Sequence, residues 1–255
     1  MLHHERIGQA IRAANEAGRT ALIPFITAGY PDRDTFIASL RQVASRGDVV
    51  EIGIPFSDPM ADGMTIQRSS FEALKQGVTL EWIFDQLDQA RDIDTPLVMM
   101  SYLNPLLAFG YERLAQRAAA AGVCAFIVPD LPFEESAEIR TALESADLGL
   151  IQLVTPATPP KRLAMLCDAS RGFVYAVTIT GITGGDTELP TDLADYLDRI
   201  DQVADLPVCA GFGIRTSSDV QNVGRHVSGA IVGSALVEVL EQGDDPVAFL
   251  DGLRQ

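Results

Sequence analysis

Glu51 and Asp62 are the two residues whose settings first suggest chemistry. Glu51 interrupts an apolar run, Val49-Val50-Glu51-Ile52-Gly53-Ile54, that has the length of a β-strand. Side chains alternate between the faces of a strand, so Glu51 lies opposite Val50 and Ile52 and is expected among apolar groups. Burying a carboxylate there costs several kcal/mol unless it is paired, hydrogen-bonded or protonated. A polar core position or a salt bridge at the strand's end would account for it structurally. The functional reading is a general acid/base whose pKa is pushed toward neutrality by desolvation. The segment that follows, Pro55-Phe56-Ser57-Asp58-Pro59-Met60-Ala61-Asp62-Gly63, carries two more carboxylates. Asp58 precedes a proline and reads as a turn former. Asp62 precedes a glycine, but its place on a loop leaving the strand of Glu51 favours a site role. Two carboxylates in unlike surroundings can divide acid and base work.

A second signal comes from three glycine-bearing turns, each after an apolar run: Thr180-Gly181-Ile182-Thr183-Gly184-Gly185, Ala210-Gly211-Phe212-Gly213-Ile214 and Val232-Gly233-Ser234-Ala235. Glycine lets backbone approach a ligand, and helix N-termini present free N–H groups to anions. Three such turns in succession point to a phosphate site. Backbone amides would do the binding, because the chain has a net charge of −16 and Lys75 and Lys161 are its only lysines.

Eight apolar runs could position these groups: Ala21 to Thr27, Val49 to Ile54, Leu97 to Ser101, Cys124 to Val128, Leu148 to Val154, Phe173 to Val177, Pro207 to Ala210 and Gly229 to Val232. Their continuity fits parallel strands covered on both faces. Amphipathic stretches alternate with them, including Thr35 to Ala44, Tyr111 to Ala121, Glu134 to Glu144, Leu193 to Val203 and Ser217 to Val223. The pattern predicts a closed (β/α)8 barrel or an open doubly wound sheet. The absence of a G-x-G-x-x-G motif after the first strand weakens the dinucleotide-binding open sheet. Extra helices are predicted at Glu5 to Ala14 and as two segments within Thr65 to Arg91 broken around Gly77-Val78-Thr79; Asn104-Pro105-Leu106-Leu107 follows the third strand outside the eight units, and a last helix opens at Ser234. No linker interrupts the 255 residues, so 1–255 reads as one barrel domain. Phosphate sites lie at the loops after the seventh and eighth strands in many barrels, and active sites at the C-terminal face.

The acidic balance argues against nucleic acid or an anionic membrane as partner. With no apolar run near the ~20 residues that span a bilayer and no signal-peptide pattern at the start, a cytoplasmic protein is expected. Cys124, Cys167 and Cys209 show no C-x-x-C pairing and read as buried thiols. His3, His4 and His226 suit neither a zinc site nor a histidine triad.

The segment Glu51 to Gly63 resembles the signature of the tryptophan synthase α subunit family. Further similarity follows in order along nearly the whole chain: Pro24 to Pro31, Tyr102 with Asn104-Pro105, Val128 to Pro132 with Glu134-Glu135-Ser136, Thr180 to Gly184, Gly211 to Ile214 and Gly233-Ser234-Ala235. The resemblance implies retro-aldol cleavage of indole-3-glycerol phosphate to indole and glyceraldehyde 3-phosphate. Glu51 would protonate indole C3 and assist at the glycerol hydroxyl, while Asp62 would bind the indole N–H. Thr183 would orient Asp62 as its loop closes, and Tyr175 would lie near Glu51. Phe25, Tyr102 and Phe212 would flank the indole; Gly184, Gly213, Gly233 and Ser234 would hold phosphate. Two departures stand out: Met64 replaces the proline usual after Asp-Gly, and Thr178-Ile179-Thr180 replaces a stretch that often contains Ser-Arg. The family also implies a pyridoxal-phosphate-dependent β subunit in an α2β2 assembly, received by Pro55 to Pro59, Asn104-Pro105 and Asp130-Leu131-Pro132. No cofactor is expected on this chain. Two other readings remain at this point: a lyase that releases indole without a partner, and a barrel that only activates a β subunit.

Overall fold

The computed structural model describes residues 2–178, 189–211 and 213–255. The eight apolar runs form strands β1 (Ala21–Thr27), β2 (Val50–Gly53), β3 (Leu97–Met100), β4 (Val123–Ile127), β5 (Gly149–Val154), β6 (Val174–Val177), β7 (Val208–Gly211) and β8 (Gly229–Val232). Each pairs in parallel with the next, and β8 pairs with β1, closing the barrel. Of the two sheet topologies that the periodicity allowed, the chain adopts the closed one.

The helices in chain order are α1 (Glu5–Glu16), α2 (Phe36–Ala44), α3 (Met64–Lys75), α4 (Leu80–Asp88), α5 (Leu103–Phe109) and α6 (Tyr111–Ala120), then α7 (Ala137–Glu144), α8 (Pro160–Ala169), α9 (Thr191–Asp201), α10 (Ser217–Gly224), α11 (Ser234–Gln242) and α12 (Pro246–Gly252). The break between α3 and α4 falls where the sequence placed it. Gly77 takes φ +76°, and the Thr79 hydroxyl accepts the Trp82 N–H at 3.2 Å to cap α4. Two expectations shift. The run from Glu134 to Glu144 is a 3-10 turn (Phe133–Glu135) followed by α7. The helix opened by Ser234 is not the last. Asp245 caps a further helix, α12, which carries Pro246 in its first turn, a start signal that the sequence displayed.

The core forms two shells. The larger lies between strands and helices. The smaller fills the barrel with Ala21, Ile23, Val49, Val98, Ile127, Ile151, Phe173 and Ile231, among others. Helix α1 closes this inner shell at one end. Its Ile7, Ile11 and Ala14 fall on one helical face and are buried against the barrel interior. Each buried isoleucine contributes roughly 1.5–3 kcal/mol relative to exposure. The plugged end leaves the opposite, C-terminal mouth for ligands. The three cysteines are buried and free. Among the described residues, no helix is long and apolar enough to cross a membrane.

Candidate active site

At the open mouth a cavity of about 270 Å3 is lined by Phe25, Glu51, Asp62, Ile66, Met100, Leu153, Tyr175, Gly211, Gly213, Ile231, Gly233 and Ser234, among others. Strand parity explains Glu51. Val50 and Ile52 belong to the outer shell, so Glu51 points inward, level with Phe25 on β1 and Val98 on β3. It is 1% exposed, and its Oε2 has no hydrogen-bond partner among the described residues. Burial, and then the nearby Asp62 charge, push its pKa up to about 8. The carboxyl is therefore protonated at neutral pH, the state a proton donor needs.

Asp62 sits just before Gly63, the residue that opens α3 with φ −71° and ψ 163°. Its Oδ atoms are partly buried, and desolvation raises the pKa to about 6 against a hydrogen bond from Tyr102 that lowers it. At pH 7 it is mainly ionised. The Tyr102 hydroxyl also accepts the Ala61 N–H at 2.8 Å, and Gln67 Nε2 donates to the Asp62 carbonyl at 2.8 Å, so the loop is held on both sides. Tyr102 is not among the described residues lining the cavity; it stands behind the Asp62 loop. Tyr175 does line it, with burial and then the Glu51 and Asp62 charges raising its hydroxyl pKa well above the ordinary value. A Cβ placed on Gly211 would lie 2.5 Å from the Tyr175 hydroxyl, and one on Gly53 would lie 2.3 Å from the Phe25 ring. These two glycines make the room in which both rings stand.

The glycine turns after β7 and β8 meet on one wall. Gly213 takes φ +41°, a backbone state that favours glycine. Gly233 precedes α11 and Ser234 opens it, so the first N–H groups of that helix face this side of the cavity. None of the described lining residues is Lys, Arg or His. An anion here would meet backbone amides and the Ser234 hydroxyl, as the charge balance required. Thr183, Gly184 and Phe212, and with them the turn after β6, lie outside the described residues.

The chain pattern had not singled out Met100, Leu153 and Ile231 as cavity walls. Their signal was parity: each faces inward near the C-terminal end of its strand. Two of the three segments expected to meet a partner contact the residues that precede Asn104. Phe56 stacks on Tyr102 at 5.0 Å between ring centroids, and Asp130 Oδ1 accepts the Leu103 N–H at 2.9 Å. Beside them an apolar groove is lined by Pro55, Phe56, Pro105 and Phe109, among others.

Comparison with known proteins gives a consistent result. The family model described as tryptophan synthase alpha chain matches residues 11–251. A tryptophan synthase alpha chain from Desulfovibrio desulfuricans is 44% identical over 246 residues, spanning 95% of this chain and 96% of its own. One from Roseiflexus castenholzii is 44% identical over 240 residues, spanning 93% and 92%. Among solved structures, Mycobacterium tuberculosis tryptophan synthase superposes with a TM-score of 0.89 at 33% identity over 98% of each chain. A tryptophan synthase subunit alpha from Legionella pneumophila gives 0.89 at 32% identity, covering 100% of this chain and 98% of that one.

Proposed function

The chain belongs to the tryptophan synthase alpha chain family, and we propose that the mouth cavity cleaves indole-3-glycerol phosphate into indole and glyceraldehyde 3-phosphate. Protonated Glu51 delivers its proton to indole C3, which turns the ring into an iminium-like electron sink. The ionised Asp62 accepts the indole N–H and stabilises the positive charge developing on the ring. The bond from C3 to the glycerol carbon then breaks, and its electron pair restores the aromatic ring. The Glu51 carboxylate takes the proton of the adjacent hydroxyl as that carbon becomes the aldehyde. One proton leaves Glu51 and one returns, so the group ends as it began.

The observation that carries this reading is the buried Glu51, whose Oε2 has no hydrogen-bond partner among the described residues, held near 8 beside an Asp62 near 6. The pair is split so that acid and anion coexist at neutral pH. Phe25 and Tyr175 supply apolar walls for the indole, and Gly213, Gly233 and Ser234 supply donors for the phosphate. Thr183, Gly184 and Phe212 complete the proposed set. Tyr102 serves by holding the Asp62 loop. The β subunit is proposed to dock where Pro55 to Pro59, Asn104-Pro105 and Asp130 to Pro132 meet, in an α2β2 assembly that receives the indole.

An indole-release assay with and without a β subunit tests these roles. Glu51→Gln and Asp62→Asn are each expected to lose roughly 10²-fold or more, the lower range of what a positioned proton donor or charge contributes. Near-normal turnover in either folded variant removes its assigned role. Rapid turnover of the chain alone, with no gain from the β subunit, would favour an independent lyase.

A further inference from the structure

One carboxylate outside the cavity joins three of the elements that build it. Glu238 lies one turn into α11 from Ser234. Its Oε1 accepts the Thr65 hydroxyl at 3.1 Å and Arg215 Nη2 at 3.1 Å, and its Oε2 accepts Arg215 Nη1 at 2.8 Å. Thr65 stands in the first turn of α3, just past Asp62. Arg215 stands just past Gly213. All three elements contribute to the cavity wall: the α3 side through Asp62, Gly63 and Ile66, the β7 turn through Gly211 and Gly213, and α11 through Ser234.

We propose that Glu238 is a positioning residue for the lyase reaction. Through Thr65 and Arg215 it fixes the Asp62 loop and the Gly213 turn against the N-terminus of α11, so that the indole and phosphate ends of one substrate are gripped at a set separation. This rests on the proposed phosphate position at Gly213, Gly233 and Ser234. Glu238 adds a direct side-chain link among these three elements, and a misplacement of about 1 Å can cost 10²-fold in rate. The link to Arg215 is a bidentate, charge-assisted pair, the geometry that fixes orientation as well as distance. Arg215 is braced from its other side, because its main-chain N–H donates to Asp219 Oδ2 at 2.9 Å, within the capping box that opens α10. Its guanidinium is directed to Glu238, and Arg215 is not among the described lining residues. In this arrangement the arginine beside the phosphate turn organises backbone and does not serve as a ligand.

A neighbouring rung supplies the control. Arg68 Nε donates to Glu241 Oε1 at 3.0 Å, one turn further along both α3 and α11, and neither side chain hydrogen-bonds the described residues of the β7 turn. Partly exposed pairs of this kind contribute only about 0–1 kcal/mol to stability, so a kinetic role separates cleanly from a structural one.

The experiment measures KM and kcat for indole-3-glycerol phosphate cleavage in the complex with the β subunit, with inorganic phosphate as competitor and thermal melting alongside. Glu238→Ala is expected to raise KM roughly fivefold or more and lower kcat roughly threefold or more, the scale of a sub-ångström misplacement. Arg215→Gln should move chiefly KM, and Thr65→Val chiefly kcat. Arg68→Gln should leave both within about twofold, as an exposed ion pair away from the turn would. Wild-type KM and kcat in a folded Glu238→Ala overturn the inference, as does an equal KM rise in Arg68→Gln. If inorganic phosphate does not compete on the wild type, the phosphate position fails and this inference falls with it. Competition on the wild type together with unchanged constants in Glu238→Ala overturns the inference alone.

Discussion

Replacing Glu51 with glutamine should stabilise the protein, and by an amount that grows with pH. The folded state raises the Glu51 pKa from 4.5 to about 8 because the ionised form has lost its water and faces Asp62. A raised folded-state pKa means the folded chain holds the proton more tightly than the unfolded chain does. The associated stability is fully present below about 4.5 and is lost as pH rises through about 8. At about 1.36 kcal/mol for each tenfold change in proton affinity, the loss is roughly 1 kcal/mol at pH 5, roughly 3 at pH 7 and close to a ceiling of roughly 5 at pH 9. The group is almost wholly enclosed, at 1% exposure, so solvent screening removes little of this. Glutamine keeps the shape and never ionises. The gap between Glu51→Gln and wild type, read from urea denaturation at pH 5, 7 and 9, should therefore widen in favour of the variant by roughly 4 kcal/mol across that range. A packing defect in the variant would shift the whole gap without changing its slope. A gap that stays constant from pH 5 to pH 9 would refute the buried, proton-holding Glu51 from which the mechanism is built.

Other expectations follow from the same geometry. In the free enzyme, kcat/KM should rise through about pH 6 as Asp62 ionises and fall through about pH 8 as Glu51 loses its proton; a flat profile between pH 7 and pH 9 would contradict the acid role. Gly53→Ala would place a Cβ 2.3 Å from the Phe25 ring, so it should cost about 1–3 kcal/mol in denaturation and raise KM by driving the ring into the cavity. Met64 is 76% exposed at the first position of α3, behind an extended Gly63. That position tolerates proline, so Met64→Pro should raise stability by about 0.4–1 kcal/mol without loss of lyase activity; a lower melting temperature would mean that the Asp62 loop needs its freedom.

Much of the barrel and the heart of the site could be read from the chain, for identifiable physical reasons. Strands buried on both faces leave unbroken apolar runs, and a carboxylate in one of them is visible because its cost is local. Glu51 needed only its immediate neighbours to stand out, and Gly213 only its place after a strand. What escaped depends on relations between distant segments. The inward face of α1 was plain as amphipathicity, but its work as the plug of the barrel appears only when Ile7 and Ile11 meet Ile23 and Val49. The family resemblance puts Tyr102 beside the indole; that its hydroxyl also accepts the Ala61 N–H is a relation between two loops that no local signal carries. Glu238 is one acidic residue among many on exposed helix faces, and nothing near it in sequence distinguishes it.

Depth explains both why the proposed catalytic pair was legible and how the two carboxyls come to differ. Glu51 stands within β2, below the strand's end, where apolar neighbours surround it and no described group hydrogen-bonds Oε2. Asp62 stands past the end of the same strand, where a loop can bend Tyr102 toward it and water still reaches it in part. Desolvation acts on both, but only the upper residue has a donor to offset it, which leaves one carboxyl near 8 and the other near 6. The ordering follows from position along one strand and its loop. Exchanging the two chemistries would need a hydrogen-bond donor placed in the barrel layer beside Glu51. The strand neighbours in that layer, Phe25 on β1 and Val98 on β3, have no side-chain donor to give, and the nearby Tyr175 hydroxyl makes no hydrogen bond to Glu51 among the described residues. The barrel thus determines which carboxyl carries the proton before any substrate arrives.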